Sequence, residues 1–319
     1  MLLERFRFRA MGSPCELALY APTRDALEHG RETACREIAR LEAKYSRYRE
    51  DSLAARINRS AGSACGVEVD EETAALLDFA ATAWRESEGR FDPTSGVLRR
   101  AWNFRSGRLP TREEIDSAHR LVGWSKVRWE HRRLTLPTLG MELDFGGFVK
   151  EYAADRVAET LRQEGLRHGL VDLGGDMAIV GPHPDGSPWL IGVRDPRAPA
   201  EAIARIAVES GGLATSGDYE RCMIVDGVRY SHLLDPRTGE SFRDGPACVS
   251  VRAPHCLVAG VTATIAMLHD EAGAESFLAE LGLAHLGIGQ AGRVFGETRL
   301  VDFAPRRSRR AASRAMGRV

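Results

Sequence analysis

The stretch DFGGFVKEYAADRVAETLRQEGLRHGLVDL, which runs from Asp144 to Leu173, decides the fold prediction. Apolar residues recur at helical spacing from Tyr152 to Leu161, and Gly165 stands where a glycine commonly follows the end of a helix. The helix is expected to start around Gly147. A β-type run begins soon after its end, at residue 168, so the chain changes here from helical segments to a series of short strands.

Seven short β-type runs follow this helix, and Asp-Gly pairs typical of hairpin turns separate some of them. The runs span residues 168–173, 177–181, 188–193, 204–209, 221–225, 228–234 and 247–253. Helical spacing returns at 256–268 and 271–281, before closing strands near 284–288 and 298–303. Because strands and helices do not alternate regularly, the pattern predicts an α+β fold rather than a doubly wound sheet.

The segments before the stretch predict one strand and three helices. Residues 4–20 alternate between apolar and polar side chains, as a half-buried strand does. Helical spacing marks residues 24–45 and the segment that follows Asp70. Thr111 and Glu114 have the spacing of a capping box, so a further helix should start there and end near Gly123.

Length, composition and charge limit the class of protein. The chain has 319 residues, of which 43% are hydrophobic and 28% charged, so it can bury a sizeable core and is neither disordered nor a coiled coil. We predict one domain over residues 1–303 and a basic, disordered tail over 304–319. Six arginines lie in the last 14 residues, and the rest of the chain has 38 basic against 45 acidic side chains. Nucleic acid is therefore not expected as a partner.

The beginning of the sequence contains no continuous apolar segment of the secretory type and no lipobox, and no run reaches the roughly 18 apolar residues of a membrane span. The sequence therefore predicts a cytoplasmic protein without a membrane span. The six cysteines form no Cys-x-x-Cys pair, which favours free thiols over a disulfide scaffold.

Two glycine-containing segments are candidates for ligand binding. In Asp144 to Lys150, two glycines precede a helix start that carries a cation, an arrangement that attracts phosphate. The spacing is not that of a P-loop, and a tight strand-to-helix connection is the alternative interpretation. Gly89-Arg90-Phe91-Asp92-Pro93-Thr94-Ser95-Gly96 places a carboxylate and two hydroxyls beside a chain reversal, where an ordinary Asp-Pro turn is the alternative.

His232 is the best candidate for proton transfer, because a serine precedes it and an acid follows within three residues. A purely structural hydrogen-bonding role is the alternative. Ser216, His232 and Asp235 could also be assembled into a hydrolase triad, but the sequence has no Gly-x-Ser-x-Gly nucleophile elbow.

Taken together and in this order, seven blocks of sequence resemble the FAD:protein FMN transferase family, also called the ApbE-like flavin transferases. The resemblance covers nearly the whole chain, from Met11 to about Gly289. The blocks are Met11-Gly12; Tyr45-Ser46-Arg47-Tyr48 with Asp51-Ser52 and Asn58; Phe91-Asp92-Pro93-Thr94 with Trp102-Asn103-Phe104; Asp144-Phe145-Gly146-Gly147-Phe148-Val149-Lys150 with Tyr152-Ala153-Ala154-Asp155; Gly174-Gly175-Asp176; Thr215-Ser216-Gly217-Asp218-Tyr219-Glu220-Arg221; and Ser231-His232-Leu233-Leu234-Asp235-Pro236.

The resemblance implies an ApbE-like fold with a mixed, largely antiparallel sheet and packed helices. It also implies a Mg²⁺-dependent enzyme that moves FMN from FAD to a threonine hydroxyl of an acceptor flavoprotein and releases AMP. His232 would be the base, and the metal would be held by the backbone oxygen of Gly147 and the hydroxyl of Thr264. The residues that the resemblance places around the flavin nucleotide are Met11, Tyr48, Arg90, Phe91, Asp92, Lys150 and Leu234.

The chain departs from the family pattern at two positions. The family's metal segment reads Asp-x-x-x-Thr, whereas this chain has Gly260 four residues before Thr264. Glu151 stands where the family has glycine after the lysine, and it could supply the missing charge. Adjacent helix residues point in different directions, however, so we expect it to face away from Lys150. The missing carboxylate leaves two alternatives open: a flavin-binding protein that has lost transferase activity, or a pyrophosphatase that splits FAD with water.

Overall fold

The computed structural model describes residues 1–219, 221–296 and 300–301. The α-helices in this part of the chain are α1 Arg24–Tyr45, α2 Leu53–Arg59, α3 Glu71–Glu86, α4 Arg112–His119, α5 Val149–Gln163, α6 Cys256–Met267 and α7 Glu271–Leu281. The strands are β1 Leu2–Ala10, β2 Ser13–Ala21, β3 Val67–Glu68, β4 Arg128–Glu130, β5 Arg133–Thr135, β6 Gly169–Leu173, β7 Asp176–Gly181, β8 Trp189–Asp195, β9 Ala198–Val208, β10 Gly212–Gly217, β11 Cys222–Val225, β12 Val228–Ser231, β13 Cys248–Ala253, β14 Ala284–Ile288, β15 Val294–Phe295 and β16 Leu300–Val301.

An eight-stranded sheet forms the centre of the molecule, with the strand order β1-β2-β6-β7-β10-β13-β14-β15. Neighbouring strands in the described sheets run antiparallel. A smaller sheet of order β16-β9-β8, the hairpin β11-β12 and the three strands β3-β5-β4 lie beside it. The predicted α+β class is confirmed.

Side chains that alternate along the central strands pack into two different hydrophobic cores. Leu17 and Leu19 of β2 belong to the larger core, which they share with helices α1, α5 and α6. Ala18, between them, belongs to the second core together with Trp189 and Ile206 of the smaller sheet. Since successive side chains of a strand point to opposite faces, the central sheet lies between a helical layer and a second β layer.

The N-terminal segment differs from its prediction. Residues 4–20 form two strands, β1 and β2, rather than one, and Met11 and Gly12 make the turn with φ values of 50° and 74°. Two successive residues with positive φ are typical of the tight hairpin turn that matches strand twist. Apolar alternation continues through both strands, which explains why the pattern did not reveal the turn.

The predicted helices are confirmed with shifted ends. α1 and α7 have the predicted bounds, and both hydrogen bonds of the capping box between Thr111 and Glu114 are present. α4 ends at His119 rather than near Gly123. α5 begins at Val149 because a 3₁₀ turn occupies residues 145–147.

The sequence patterns predicted neither the strand β10 nor the short helix α2, and they also missed the short strands β3, β4, β5 and β15. Residues 212–217, which include four glycine or small hydroxyl residues, form β10 in the middle of the sheet, so Thr215 and Ser216 lie within a strand rather than after one. Of the closing strand predicted near 298–303, only residues 300–301 are described. The predicted tail at 304–319 lies outside the described residues, so it and the domain boundary at residue 303 stay predictions.

All six cysteines are free thiols, as expected. Within the described ranges, no α-helix has the length and apolar character needed to cross a bilayer.

Candidate active site

The two turns β1-β2 and β6-β7 lie side by side at one edge of the central sheet. Strands β2 and β6 are neighbours, and a Cβ added to Gly174 would lie 2.7 Å from the Cβ of Ser13. The same added atom would lie 3.5 Å from Nζ of Lys150, in the first turn of α5. This edge therefore brings together the Met11-Gly12 turn, the Gly174-Gly175 turn and the predicted cation.

Lys150, which is half-buried, forms an ion pair with a buried carboxylate at this edge. Its Nζ lies 2.7 Å from Oδ2 of Asp176, the first residue of β7, and the backbone N–H of Thr215 also donates to Asp176. Burial disfavours the charged amine, but the nearby carboxyl groups of Asp176 and Glu151 outweigh it and raise the pKa of Lys150. The lysine is therefore a fixed cation beside the glycine turns.

Glu151 faces the same carboxylate as Lys150, so the expectation that it points away from the lysine is wrong. Glu151 donates a hydrogen bond to Asp176, and burial together with the charge of Asp176 raises the pKa of Glu151. The long, flexible stem of Lys150 lets its amine reach Asp176 from the neighbouring helix position. Three ionisable groups thus meet where the sequence predicted one.

Gly260 of α6 is the other neighbour of Glu151. A Cβ added to Gly260 would lie only 2.5 Å from Cγ of Glu151 and 3.0 Å from its Oε1. The glutamate side chain therefore occupies the space that any side chain at position 260 would need. The sequence shows no carboxylate at position 260, whereas the structure places the carboxyl group of Glu151 directly beside it.

Asp155 positions α6 against α5. Its two carboxylate oxygens accept hydrogen bonds from the backbone N–H groups of Cys256 and Leu257, at 2.8 and 2.9 Å. These donors belong to the first turn of α6, where backbone N–H groups have no partner within the helix. These two hydrogen bonds fix the position of α6 along α5, and with it the contact between Gly260 and Glu151.

Thr264, a predicted metal ligand, lies one helical turn beyond Gly260. Its Oγ1 is 3.0 Å from Oγ of Ser216 in β10, and the side chain is half-buried. Gly147, the other predicted ligand, ends the 3₁₀ turn before α5, and a Cβ added there would meet nothing within 4 Å. Its backbone is therefore open to an incoming group.

Open glycines also border the predicted flavin-nucleotide residues. Added Cβ atoms at Gly12 and Gly175 would have no heavy atom within 4 Å. Met11 itself has a positive φ of 50°, which is uncommon for a residue with a side chain and often marks a functional turn. The turns at this edge leave room for a ligand to approach the backbone.

Tyr48 is 83% exposed, and the guanidinium of Arg47 lies 5.0 Å from its ring centroid. Arg47 is paired in turn with Asp144 at the start of the glycine segment. Nε of Arg47 is buried without a hydrogen-bond partner among the described residues. An exposed aromatic ring next to a cation with an unused donor fits a stacking platform for a planar, anionic ligand.

Arg90, Phe91 and Asp92 form the neighbouring loop. Phe91 is buried against Phe148, with ring centroids 5.8 Å apart. Within the described part of the chain, the buried Nε of Arg90 has no hydrogen-bond partner, which leaves a donor for a ligand.

The Asp92 side chain holds its own loop together. Oδ1 accepts from the backbone N–H and hydroxyl of Thr94, at 2.7 and 2.6 Å, and Oδ2 accepts from the N–H of Trp124 at 2.8 Å. Burial raises the pKa of Asp92, although these hydrogen bonds act to lower it. The structural Asp-Pro turn, which was the alternative interpretation, is therefore present, and a contact between Asp92 and a nucleotide stays a prediction.

His232 follows strand β12. Its Nδ1 lies 3.1 Å from the carbonyl oxygen of Arg221, which also accepts from the backbone N–H of His232 at 2.9 Å. Because a carbonyl only accepts, the ring hydrogen is on Nδ1 in this contact, and the lone pair of the neutral ring is on Nε2. Arg221 follows Thr215 and Ser216 along the chain, so one segment contacts both His232 and the Lys150 cluster.

The hydrolase triad is contradicted. Ser216 bonds to Thr264, His232 to the Arg221 carbonyl, and Asp235 to Arg237 at 2.7 Å. Leu234 is half-buried and forms an isolated bridge with Ser241, which holds the turn after His232.

Asp176 and Glu151 are the residues of this site that sequence reasoning did not select. Asp176 ends the Gly-Gly-Asp block, a very weak signal alone, and Glu151 was noted only as a departure from a pattern. A group of three or more His, Cys, Asp or Glu side chains that could hold a metal is absent from residues 1–219, 221–296 and 300–301. A cation at this edge would therefore need backbone, hydroxyl and ligand oxygens as well.

Comparisons with known proteins agree with this geometry. A family model described as the ApbE family matches residues 11–286. The chain is 31% identical over 300 residues to the FAD:protein FMN transferase of Treponema pallidum (strain Nichols), covering 83% of the chain and 81% of that protein. It is 32% identical over 259 residues to the FAD:protein FMN transferase of Salmonella typhimurium (strain LT2), covering 78% and 74%.

Solved structures give the same result. The ApbE protein of Thermotoga maritima MSB8 superposes with a TM-score of 0.84 at 32% identity, covering 93% of this chain and 97% of that one. The flavinyl transferase ApbE of Pseudomonas stutzeri superposes with a TM-score of 0.80 at 29% identity, covering 94% and 95%. The resemblance drawn from the sequence blocks is confirmed, and the chain belongs to the ApbE family.

Proposed function

We propose that this protein is an FAD:protein FMN transferase, which moves FMN from FAD to a hydroxyl group of an acceptor protein and releases AMP. The observation that carries the proposal is the half-buried, ion-paired Lys150 at the start of α5, with the open backbone of Gly147, Gly12 and Gly175 around it. A fixed cation next to exposed backbone at a helix start is suited to a diphosphate. The relatives named above support the same activity.

The proposed step is a phosphoryl transfer. The acceptor hydroxyl oxygen forms a bond to the phosphorus of the FMN half, the bond from that phosphorus to the AMP oxygen breaks, and AMP leaves with the electron pair. His232 accepts the hydroxyl proton at Nε2, because Nδ1 is occupied by the Arg221 carbonyl. We take the acceptor hydroxyl to be that of a threonine.

The other residues bind and orient the nucleotide in this proposal. Lys150 contacts the diphosphate, and Tyr48 offers its exposed ring to the flavin. Met11, Arg90, Phe91, Asp92 and Leu234 line the remainder of the nucleotide site. Nε of Arg90, which has no hydrogen-bond partner among the described residues, supplies a donor that FAD can use. These residues are assigned to the nucleotide site because the family resemblance places them there and because they lie in these loops.

Mg²⁺ is the metal we propose, with Gly147 and Thr264 among the groups that hold it. The open backbone of Gly147 and the hydroxyl of Thr264 are oxygen donors of the kind that Mg²⁺ prefers. Bound Mg²⁺ neutralises charge on the diphosphate, which makes the phosphorus easier to attack. The cytoplasmic location stays a prediction from the sequence.

The two alternative functions use the same site. Loss of transferase activity was considered because position 260 has no carboxylate, and the Glu151 carboxyl group beside Gly260 removes that reason. An FAD pyrophosphatase would differ only in using water as the acceptor.

Incubation of the purified protein with FAD, Mg²⁺ and a panel of purified candidate acceptor proteins tests the proposal. We expect a fluorescent acceptor band on a denaturing gel and one AMP released for each FMN attached. A matched acceptor with its target threonine changed to valine should give no band. AMP release without a labelled acceptor would identify a pyrophosphatase, and bound flavin without AMP release would identify a binding protein.

A further inference from the structure

Glu151 is a buried acid with one oxygen unused. The residue is 8% exposed, and its Oε2 has no hydrogen-bond partner among the residues that the structure describes. Leaving a polar atom buried and unpaired is costly, so native proteins usually supply a partner or a bound ion. This oxygen therefore points to a ligand at the site.

The two proposed oxygen donors, Gly147 and Thr264, lie four residues from Glu151 itself or from Gly260, which Glu151 contacts. Side chains at a helix start lean back toward the N-terminus, which directs the Glu151 carboxyl group toward Gly147. On α6, residues spaced like Gly260 and Thr264 have Cβ positions roughly 6 Å apart. These spacings are compatible with one cation bound by the carboxyl group and both oxygen donors.

We propose that Glu151 releases the proton it donates to Asp176 when the divalent cation binds, and supplies the carboxylate ligand in place of an acid at position 260. The inference rests on the proposed function, because it completes the metal site of the same reaction. The two positions are spatially exchangeable, since Glu151 enters from α5 the space that a side chain at 260 would fill from α6. The described residues contain no cage of three or more acid, histidine or cysteine side chains, which fits a Mg²⁺ site that uses one carboxylate, other oxygens and substrate phosphates.

A buried acid that only shares a proton with Asp176 is the competing explanation. Both carboxyl groups are close together, and the Asp176 carboxylate is already paired with Lys150. In that case Glu151 would affect folding stability and leave metal affinity unchanged. The two explanations therefore predict different effects of a Glu151 substitution on metal affinity.

The first experiment measures Mn²⁺ binding by electron paramagnetic resonance on flavin-free protein, with and without ADP as the diphosphate. Glu151→Gln keeps the shape and removes the charge, and Glu159→Gln on the exposed side of the same helix is the matched control. We expect Glu151→Gln to weaken Mn²⁺ binding on the order of tenfold or more, and Glu159→Gln to have no effect. Equal affinity of Glu151→Gln and wild type, or no Mn²⁺ binding by wild type, would overturn the proposal.

A swap variant tests the exchange of positions. Gly260→Asp alone should not strengthen Mn²⁺ binding, because its Cβ would clash with Cγ of Glu151 at 2.5 Å. The double variant Glu151→Gly with Gly260→Asp should recover most of the affinity lost in Glu151→Gly. If the double variant melts normally but does not recover Mn²⁺ affinity, positions 151 and 260 are not exchangeable as sources of the carboxylate.

The metal measurements are independent of the transfer assay. If the wild type labels no acceptor but Glu151→Gln loses Mn²⁺ affinity, the proposed function fails and the metal inference stands. If the wild type labels an acceptor and Glu151→Gln retains full Mn²⁺ affinity, the reverse holds. Circular dichroism and thermal melting of each variant exclude unfolding as the cause of lost binding.

Discussion

At the scale of single residues, Lys150 and His232 have different kinds of partner. Lys150 is held by a buried carboxylate, Asp176, at the first turn of a helix. His232 is held through Nδ1 by a backbone carbonyl, which places the ring hydrogen on Nδ1 and the lone pair of the neutral ring on Nε2. The lysine is suited to binding an anion, and the histidine is suited to moving a proton.

We expect Lys150→Ala to weaken FAD binding by about 1–3 kcal/mol, which is the cost of losing a charged hydrogen-bond partner. Arg293→Ala, which removes an exposed arginine paired with Glu275, is the control and should bind FAD normally. Fluorescence titration with FAD measures both. A dissociation constant equal to that of the wild type would contradict the placement of the diphosphate beside Lys150.

We expect His232→Ala to slow FMN transfer by roughly 10²–10⁴-fold, the usual contribution of a general base, and to leave FAD affinity nearly unchanged. His29→Ala, at an exposed histidine of α1, is the matched control. Single-turnover transfer and FAD titration separate the two effects. A loss of binding equal to the loss of rate would instead assign His232 a structural role.

At the scale of elements, the contact between α5 and α6 forms the metal side of the site. Asp155 of α5 caps α6, Glu151 one turn earlier contacts Gly260, and Thr264 follows one turn later on α6. The glycine at 260 permits this close approach because it has no side chain to compete with Glu151. The relative position of two helices therefore determines which donors meet.

We expect Asp155→Ala to lower the free energy of unfolding by about 1–2 kcal/mol, because it leaves two backbone N–H groups at the start of α6 without a side-chain acceptor. Asp155→Asn retains one acceptor oxygen and should cost less. Urea denaturation followed by circular dichroism measures the order of the three proteins. If Asp155→Ala is as stable as the wild type, the hydrogen bonds to Asp155 do not stabilise the packing of α6 against α5.

At the scale of the whole molecule, a charged network joins three helices on the helical side of the sheet. Glu72 of α3 pairs with Arg40 and Lys44 of α1 at 2.6 and 2.7 Å, and it accepts from the hydroxyl of Tyr152 in α5 at 3.0 Å. Burial disfavours the Glu72 carboxylate, but these donors outweigh it and lower the pKa of Glu72 to about 2. The network stabilises the packing of α1, α3 and α5, and α5 carries Lys150 and Glu151 of the site.

A lowered carboxylate pKa stabilises the folded state above the pKa of the unfolded chain, and this stabilisation is lost as the pH falls toward the folded value. We therefore expect Glu72→Gln to reduce stability by roughly 1 kcal/mol at pH 7, after allowing for solvent screening. The difference should shrink between pH 4.5 and about 2.

Denaturant melts of wild type, Glu72→Gln and the control Glu71→Gln across this pH range measure the effect; the Glu71 side chain is 91% exposed. A difference between wild type and Glu72→Gln that stays constant with pH would exclude the network as its source.

Local patterns in the sequence predicted the class of the fold and most of its elements. The apolar face of α1 and the capping box of α4 depend on residues three or four positions apart, so they can be recognised without the tertiary structure. The ordered blocks predicted the family, and they included Lys150 and His232. The patterns did not predict the hairpin turn at Met11, because the apolar alternation continues across it. They did not predict the central strand β10, because its small residues are not typical of a strand.

The sequence by itself determined the α+β class, the family and the identity of the candidate residues. Only the tertiary structure decided that Glu151 lies against Gly260, that Asp176 joins Lys150, and that Asp155 caps α6. Glu151 and Gly260 are separated by more than a hundred residues along the chain, so no local pattern relates them. Their meeting depends on the packing of α5 against α6, and packing is set by the shapes of side chains from many distant segments.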